Sequence, residues 1–96
     1  MKIIEFKTVS PLFEMERDGI KPFTTRQLER GDKRWDLLMD VLYLGTGVVI
    51  KITNPQTGES FTRPIKHVTY VAWTRSKWLN IHWKHLKLVT PDKEGK

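Results

Sequence analysis

The chain has no cysteine, which excludes disulfides and thiolate-held zinc or iron–sulfur centres and gives no sign of an oxidising compartment. No apolar run approaches the ~18 residues that a membrane-spanning helix needs. Met1 to Ser10 is a charged, alternating segment rather than a signal peptide, so a cytoplasmic location is expected. A Walker loop and a glycine-rich dinucleotide fingerprint are both missing, which leaves nucleotide hydrolysis without support. Acids are scarce in one half only. Met1 to Val48 carries eight Lys/Arg against eight Asp/Glu, whereas Val49 to Lys96 carries nine against three, so the whole excess of +6 lies downstream. A one-signed surface on half of a small domain recruits polyanions, and nucleic acid is the first partner to consider.

With 96 residues and ten aromatics, the chain is long enough for one hydrophobic core and too short for two. We expect a single domain over residues 1–90 and a charged, frayed tail over 91–96. Lys2 to Val9 places Ile4 and Phe6 on one face and suits a strand. Ser10-Pro11 reads as a helix start, with a capping hydroxyl and then a ring suited to the first helical position. Gly19 stops that helix, with Leu12, Phe13 and Met15 toward the core and Glu14, Glu16, Arg17 and Asp18 in water. Ile20 to Leu28 is β-capable, and Pro22 favours an edge or the strand's beginning. Trp35, Leu38, Met39 and Leu42 recur at helical spacing, so a second helix is expected over about Lys33 to Leu42. Val48 to Thr53 and Glu59 to Ile65 flank a turn-forming Asn54-Pro55-Gln56-Thr57-Gly58 and predict a hairpin, with Pro64 on its outer edge or ending its second strand. His67 to Trp73 and Trp78 to Val89 complete about six strands beside two short helices, an α+β domain in which strands closing on themselves would remove exposed edges. In the last run Leu79, Ile81 and Trp83 share one face, and Trp78, Asn80, His82 and Lys84 the other.

The order strand, Pro-initiated helix, Gly, then Lys and an extended Thr/Arg stretch is written here as Gly19-Ile20-Lys21-Pro22-Phe23-Thr24-Thr25-Arg26. This G-x-K-x-x-T-x-R pattern resembles the ASCH domain of the PUA-like superfamily, small β-barrels that handle RNA and modified nucleosides. The resemblance spans Lys2 to Arg26 and implies a small PUA-like mixed barrel. It also implies that Lys21 and Thr24 stand where the small bacterial acetylcytidine amidohydrolases of that superfamily carry a Lys and a Thr implicated in catalysis together with a downstream Glu. The sequence departs from those enzymes at the carboxylate. Glu59 is the only acid between the hairpin turn and the tail, and beside Gly58 it reads as a surface residue. The whole chain also resembles short bacteriophage and prophage proteins, which implies a host cytoplasm and, as one alternative, a host protein as partner.

Two main readings follow. In the leading one the domain binds nucleic acid, RNA favoured. Lys21, Thr24 and Arg26 grip a phosphate or base edge, while Arg63, Lys66, Arg75, Lys77, Lys84 and Lys87 form the electrostatic track. Trp73 and Trp78 bracket the basic loop and offer faces on which unpaired bases stack. Trp35 and Trp83 are expected in the core, and one of Trp73 and Trp78 partly exposed. In the alternative the domain is an amidohydrolase on a modified nucleoside, with Lys21 and Thr24 as its working pair: a threonine hydroxyl needs a nearby base, which a lysine can supply only if its surroundings lower its pKa. No cofactor is implied. His82 and His85 are three apart on a strand-like run and are only two, short of a metal site's usual ligand set.

Overall fold

The computed structural model describes residues 2–29, 31–73 and 77–85, those of 70–73 and 77 through their backbone alone. In chain order the elements are β1 (Lys2–Lys7), α1 (Leu12–Arg17), β2 (Phe23–Leu28), α2 (Lys33–Leu44), β3 (Val48–Thr53), β4 (Ser60–Trp73) and β5 (Lys77–Trp83). The five strands form one mixed sheet in the order β1-β3-β4-β5-β2. Only β1 and β3 run parallel; the other neighbours are antiparallel. An α+β domain is therefore what the chain builds. No helix among the described residues is long and apolar enough to cross a membrane.

Period-two alternation fixes which side of each strand is dry. Ile4 and Phe6 of β1, Val48, Ile50 and Ile52 of β3, and Leu79, Ile81 and Trp83 of β5 all lie in the core. Phe13, Trp35 and Leu38 fill it from the helices. Trp35 and Trp83 are buried as expected, and Trp78 is 37% exposed. Among the described residues β2 pairs with β5 alone, and it begins at Phe23 directly after Pro22, so Pro22 stands at the start of an edge strand.

Two expected strands prove to be one. Ser60 to Pro64 pairs with β3, and from Ile65 onward the same strand pairs with β5. The register slips between Ile65 and His67. Such a bulge bends a strand and lets it pass from one partner to another without ending. Pro64, missing an N–H, sits at this changeover rather than at an outer edge or a strand end. The last strand ends at Trp83 instead of running on to Val89: Lys84 and His85 have left the strand, and residues 86–89, like the tail, lie outside the described residues.

The helices are local products of their caps. Asp32 caps α2 by accepting from Arg34 N at 2.9 Å, and Gly45 ends the helix at φ 66°, a left-handed conformation that costs glycine little. In α1, Pro11 takes the N-cap position instead of the first helical one, and no side chain caps the helix. The Ser10 hydroxyl is engaged elsewhere: it donates to Glu14 Oε2 at 2.7 Å and accepts from Asn54 Nδ2 at 3.0 Å. Asn54, fully buried, thereby ties the hairpin turn to the start of α1.

α1 also turns a different face inward from the one its polarity suggests. Phe13 and Glu16, three apart and so on one side of the helix, are 0% and 1% exposed, whereas Leu12 is 46% exposed. A carboxylate leaves water only if a cation and hydrogen bonds meet it inside. The turn after the helix delivers both.

Candidate functional site

Gly19, at φ 82°, reverses the chain at the C-terminus of α1. A Cβ there would also fall 2.8 Å from the imidazole of His85, so the position demands glycine twice over. The reversal is closed by Lys21 N donating to Met15 O at 3.0 Å. It folds Lys21 back onto the helix, where Nζ donates to Glu16 Oε2 at 2.9 Å and to Phe23 O at 2.9 Å. The Lys21 side chain is 23% exposed and that of Glu16 1%. Glu16 Oε1 is buried and has no hydrogen-bond partner among the described residues.

β2 supplies the rest of the site from its inward side. Thr24 is 3% exposed, and its hydroxyl oxygen accepts from Arg26 Nε at 3.0 Å. The Arg26 guanidinium then crosses to β1, donating to Lys7 O at 3.0 Å and to Thr8 Oγ1 at 2.5 Å. It also lies over the Phe6 ring, 4.9 Å from the centroid. Burial depresses the Arg26 pKa, with Glu16 opposing and Arg34 adding to the shift. Arg34, from α2, covers the same ring at 4.7 Å and donates to Glu5 O at 3.2 Å. The β1 carbonyls of Glu5 and Lys7 are thus held by two arginine side chains, which blunt an end strand of the sheet.

These residues surround a cavity of about 420 Å³, with Glu16, Lys21, Thr24 and Arg26 in its wall beside Thr8 and Leu12. Arg26 separates it from a second cavity of about 510 Å³ lined by Glu5, Phe6, Arg34 and Thr53. The lining of the first cavity includes the Glu16 carboxylate, whose Oε1 is itself buried, the Lys21 ammonium and the Thr24 hydroxyl.

Lys21, Thr24 and Arg26 line one cavity, with different duties. Arg26 spends its donors on Thr24, Lys7 and Thr8, so it shapes the cavity instead of reaching into solvent. Arg63 likewise turns inward, donating to Thr62 O at 2.7 Å and Arg17 O at 2.9 Å and lying over Phe61; burial lowers its pKa against the pull of Asp18. Lys66, Lys84 and Trp78 are exposed. Arg75, Lys87 and the side chains of Trp73 and Lys77 lie outside the described residues. Glu59 is a surface residue as expected, accepting from Arg17.

Glu16 is the correction that matters most, because sequence reading turned it to solvent. A signal was there to find: a glutamate in the last helical turn, a stop glycine, and a lysine five residues on, with Phe13 three residues before to mark the buried side. No family model, no curated protein and no solved structure matches the chain.

Proposed function

We propose that this chain is a nucleic-acid-binding domain, RNA favoured, that takes one unpaired base or modified nucleoside into the cavity between α1 and β2. One observation carries the reading. Glu16, 1% exposed and with its buried Oε1 unpartnered among the described residues, belongs to the lining of a cavity that Lys21 and Thr24 share. A buried acceptor left unsatisfied is costly, and a base N–H would satisfy it while the neighbouring carbonyl accepts from Lys21. The cavity volume falls within the roughly 300 to 1,000 Å³ of small-ligand sites. The ASCH-like motif that supplies Lys21 and Thr24 points the same way. Arg26, reaching from β2 to β1 at the two ends of the sheet, supports a PUA-like, barrel-like architecture.

The test is titration of labelled single-stranded RNA, single-stranded DNA and duplex DNA at two salt concentrations, with Lys21→Ala and Glu16→Gln in parallel. Binding should weaken steeply with salt, prefer single strands, and fall in both variants. Equal, weak binding to all three, unchanged in the variants, would make the basic half a solubility feature and turn attention to a host protein.

Glu16 also favours a second reading, hydrolysis of an amide on a modified nucleoside, because it supplies a carboxylate beside the Lys21/Thr24 pair. The Thr24 oxygen would attack the acyl carbon as Glu16 takes the hydroxyl proton and Lys21 holds the oxyanion. The amine would leave carrying that proton, and water would release the acyl group. Incubation with acetylcytidine, followed for free cytidine, decides it: turnover lost in Thr24→Val and in Glu16→Gln supports hydrolysis, and no turnover leaves binding alone.

A further inference from the structure

On the outward side of β2, β5 and β4 the rings of Phe23, His82 and His67 stand in one column. Phe23 pairs with His82, and His82 with His67, across the three strands. Their centroids are 5.6 and 4.3 Å apart, with interplanar angles of 29° and 18°. The Phe23 end is closed by Lys21 Nζ, 4.7 Å from the ring centroid. At the other end His67 is exposed. β3 pairs with β4 only as far as Pro64, so past the bulge β4 has a strand on one side alone among the described residues.

We propose that this column is a stacking platform for single-stranded nucleic acid, and that an unpaired base extends it by one ring at His67. The inference rests on the nucleic-acid reading above and assigns it a second contact outside the cavity. Charge complementarity favours this occupant over an apolar one: exposed Lys66 adjoins His67, and the whole net charge of +6 lies in this half of the chain. The next row of the same face is polar. Thr25 donates to Asn80 Oδ1 at 2.5 Å, which leaves the Asn80 Nδ2 group without a partner among the described residues and able to donate to a base edge. Rows two residues apart on a strand are spaced by about 6.6 Å, close enough for stacking and edge recognition of one nucleotide. Lys21 joins the two places, since the ammonium that caps the column also binds Glu16 in the cavity.

The platform is tested with short single-stranded RNA and DNA oligonucleotides containing 2-aminopurine, titrated into the wild-type protein and into His67→Ala, His67→Phe and Lys21→Ala. Loss of one base–aromatic contact should weaken binding roughly tenfold. We expect that loss in His67→Ala, together with loss of 2-aminopurine quenching, and near wild-type behaviour in His67→Phe, which keeps a ring. A thermal melt of each variant checks that the exposed substitution leaves the fold intact. If His67→Ala binds and quenches like the wild type while Lys21→Ala is weakened, the platform is wrong and the cavity stands. If the wild-type protein binds no oligonucleotide, the nucleic-acid reading and the platform fall together.

Discussion

Glu16 and Glu59 each hold a cation at 2.9 Å, Lys21 in one case and Arg17 in the other, yet they belong to different kinds of region. Glu16 lies in the wall of the cavity with its side chain 1% exposed, whereas Glu59 sits at the hairpin turn with 47% exposed. Distance is the same and environment is not. At the turn, water solvates either partner when the other is removed, so the pair contributes little. In the cavity wall Lys21 holds Oε2, and Oε1 has no partner among the described residues. Near α1, burial rather than ion-pair geometry therefore separates a site from a surface.

The sharpest way to break that contrast is to delete each carboxylate. Glu16→Ala leaves Lys21 without its counter-ion, and breaking a buried pair costs about 3 kcal/mol. For a domain of this size the melting temperature should fall by roughly 10 to 20 °C. Glu59→Ala should leave it unchanged. Equal losses in the two variants would mean that Glu16 is no better shielded than Glu59.

A second comparison lies along β2, where Arg26 faces inward and Gln27 faces water. Arg26→Ala removes charge-assisted bonds to Lys7 O and Thr8 and the cover over Phe6, and should cost about 1 to 2 kcal/mol. Amide exchange should quicken in β1. Gln27→Ala should do neither. A loss confined to β2, with β1 protection unchanged, would show that Arg26 does not hold the two ends of the sheet together.

These contrasts also mark what the sequence could reveal. The alternation of β5, the helical spacing of Trp35, Leu38 and Met39 in α2 and the turn around Asn54 were legible because each depends on residues close in the chain. Lys21, Thr24 and Arg26 lie within six residues of one another, so their common place in one cavity lining follows from chain proximity. Glu16 was not legible, because the polarity of a six-residue helix says little about its buried face, and a carboxylate's burial depends on a cation that arrives only after the chain reverses at Gly19. Pro64 misled for a related reason: its missing donor reads as the edge or end of a strand, whereas β4 bulges past it and changes partner. The inward turn of Arg63 likewise depends on Arg17 O, a long-range acceptor that no local pattern announces.

The smallest expected effect sharpens the comparison on the outward face. His82 stands between Phe23 and His67, and its pKa lies below the ordinary 6.5 because of burial first, then His67 and Lys66. Its folded form therefore binds a proton less readily than the unfolded chain does. Stability should fall as pH drops through about 6.5 and level off once the folded-state value is passed. Asp18 and Asp32 shift in the same direction, held low chiefly by side-chain hydrogen bonds from Arg17 and Arg34. Their contribution, however, is lost only below their ordinary value of 3.8, so the two windows separate. Urea midpoints measured between about pH 7.5 and pH 5 should decline in the wild type and stay nearly flat in His82→Gln. A wild-type midpoint that does not change across that window would mean that His82 titrates as it does in the unfolded chain, and the close stack with His67 would not persist in solution. If the proposed platform binds a polyanion, that ligand should oppose the decline, since a phosphate beside His82 favours its protonated form. The same pH drop that loosens the free domain should then tighten the proposed hold on a single strand.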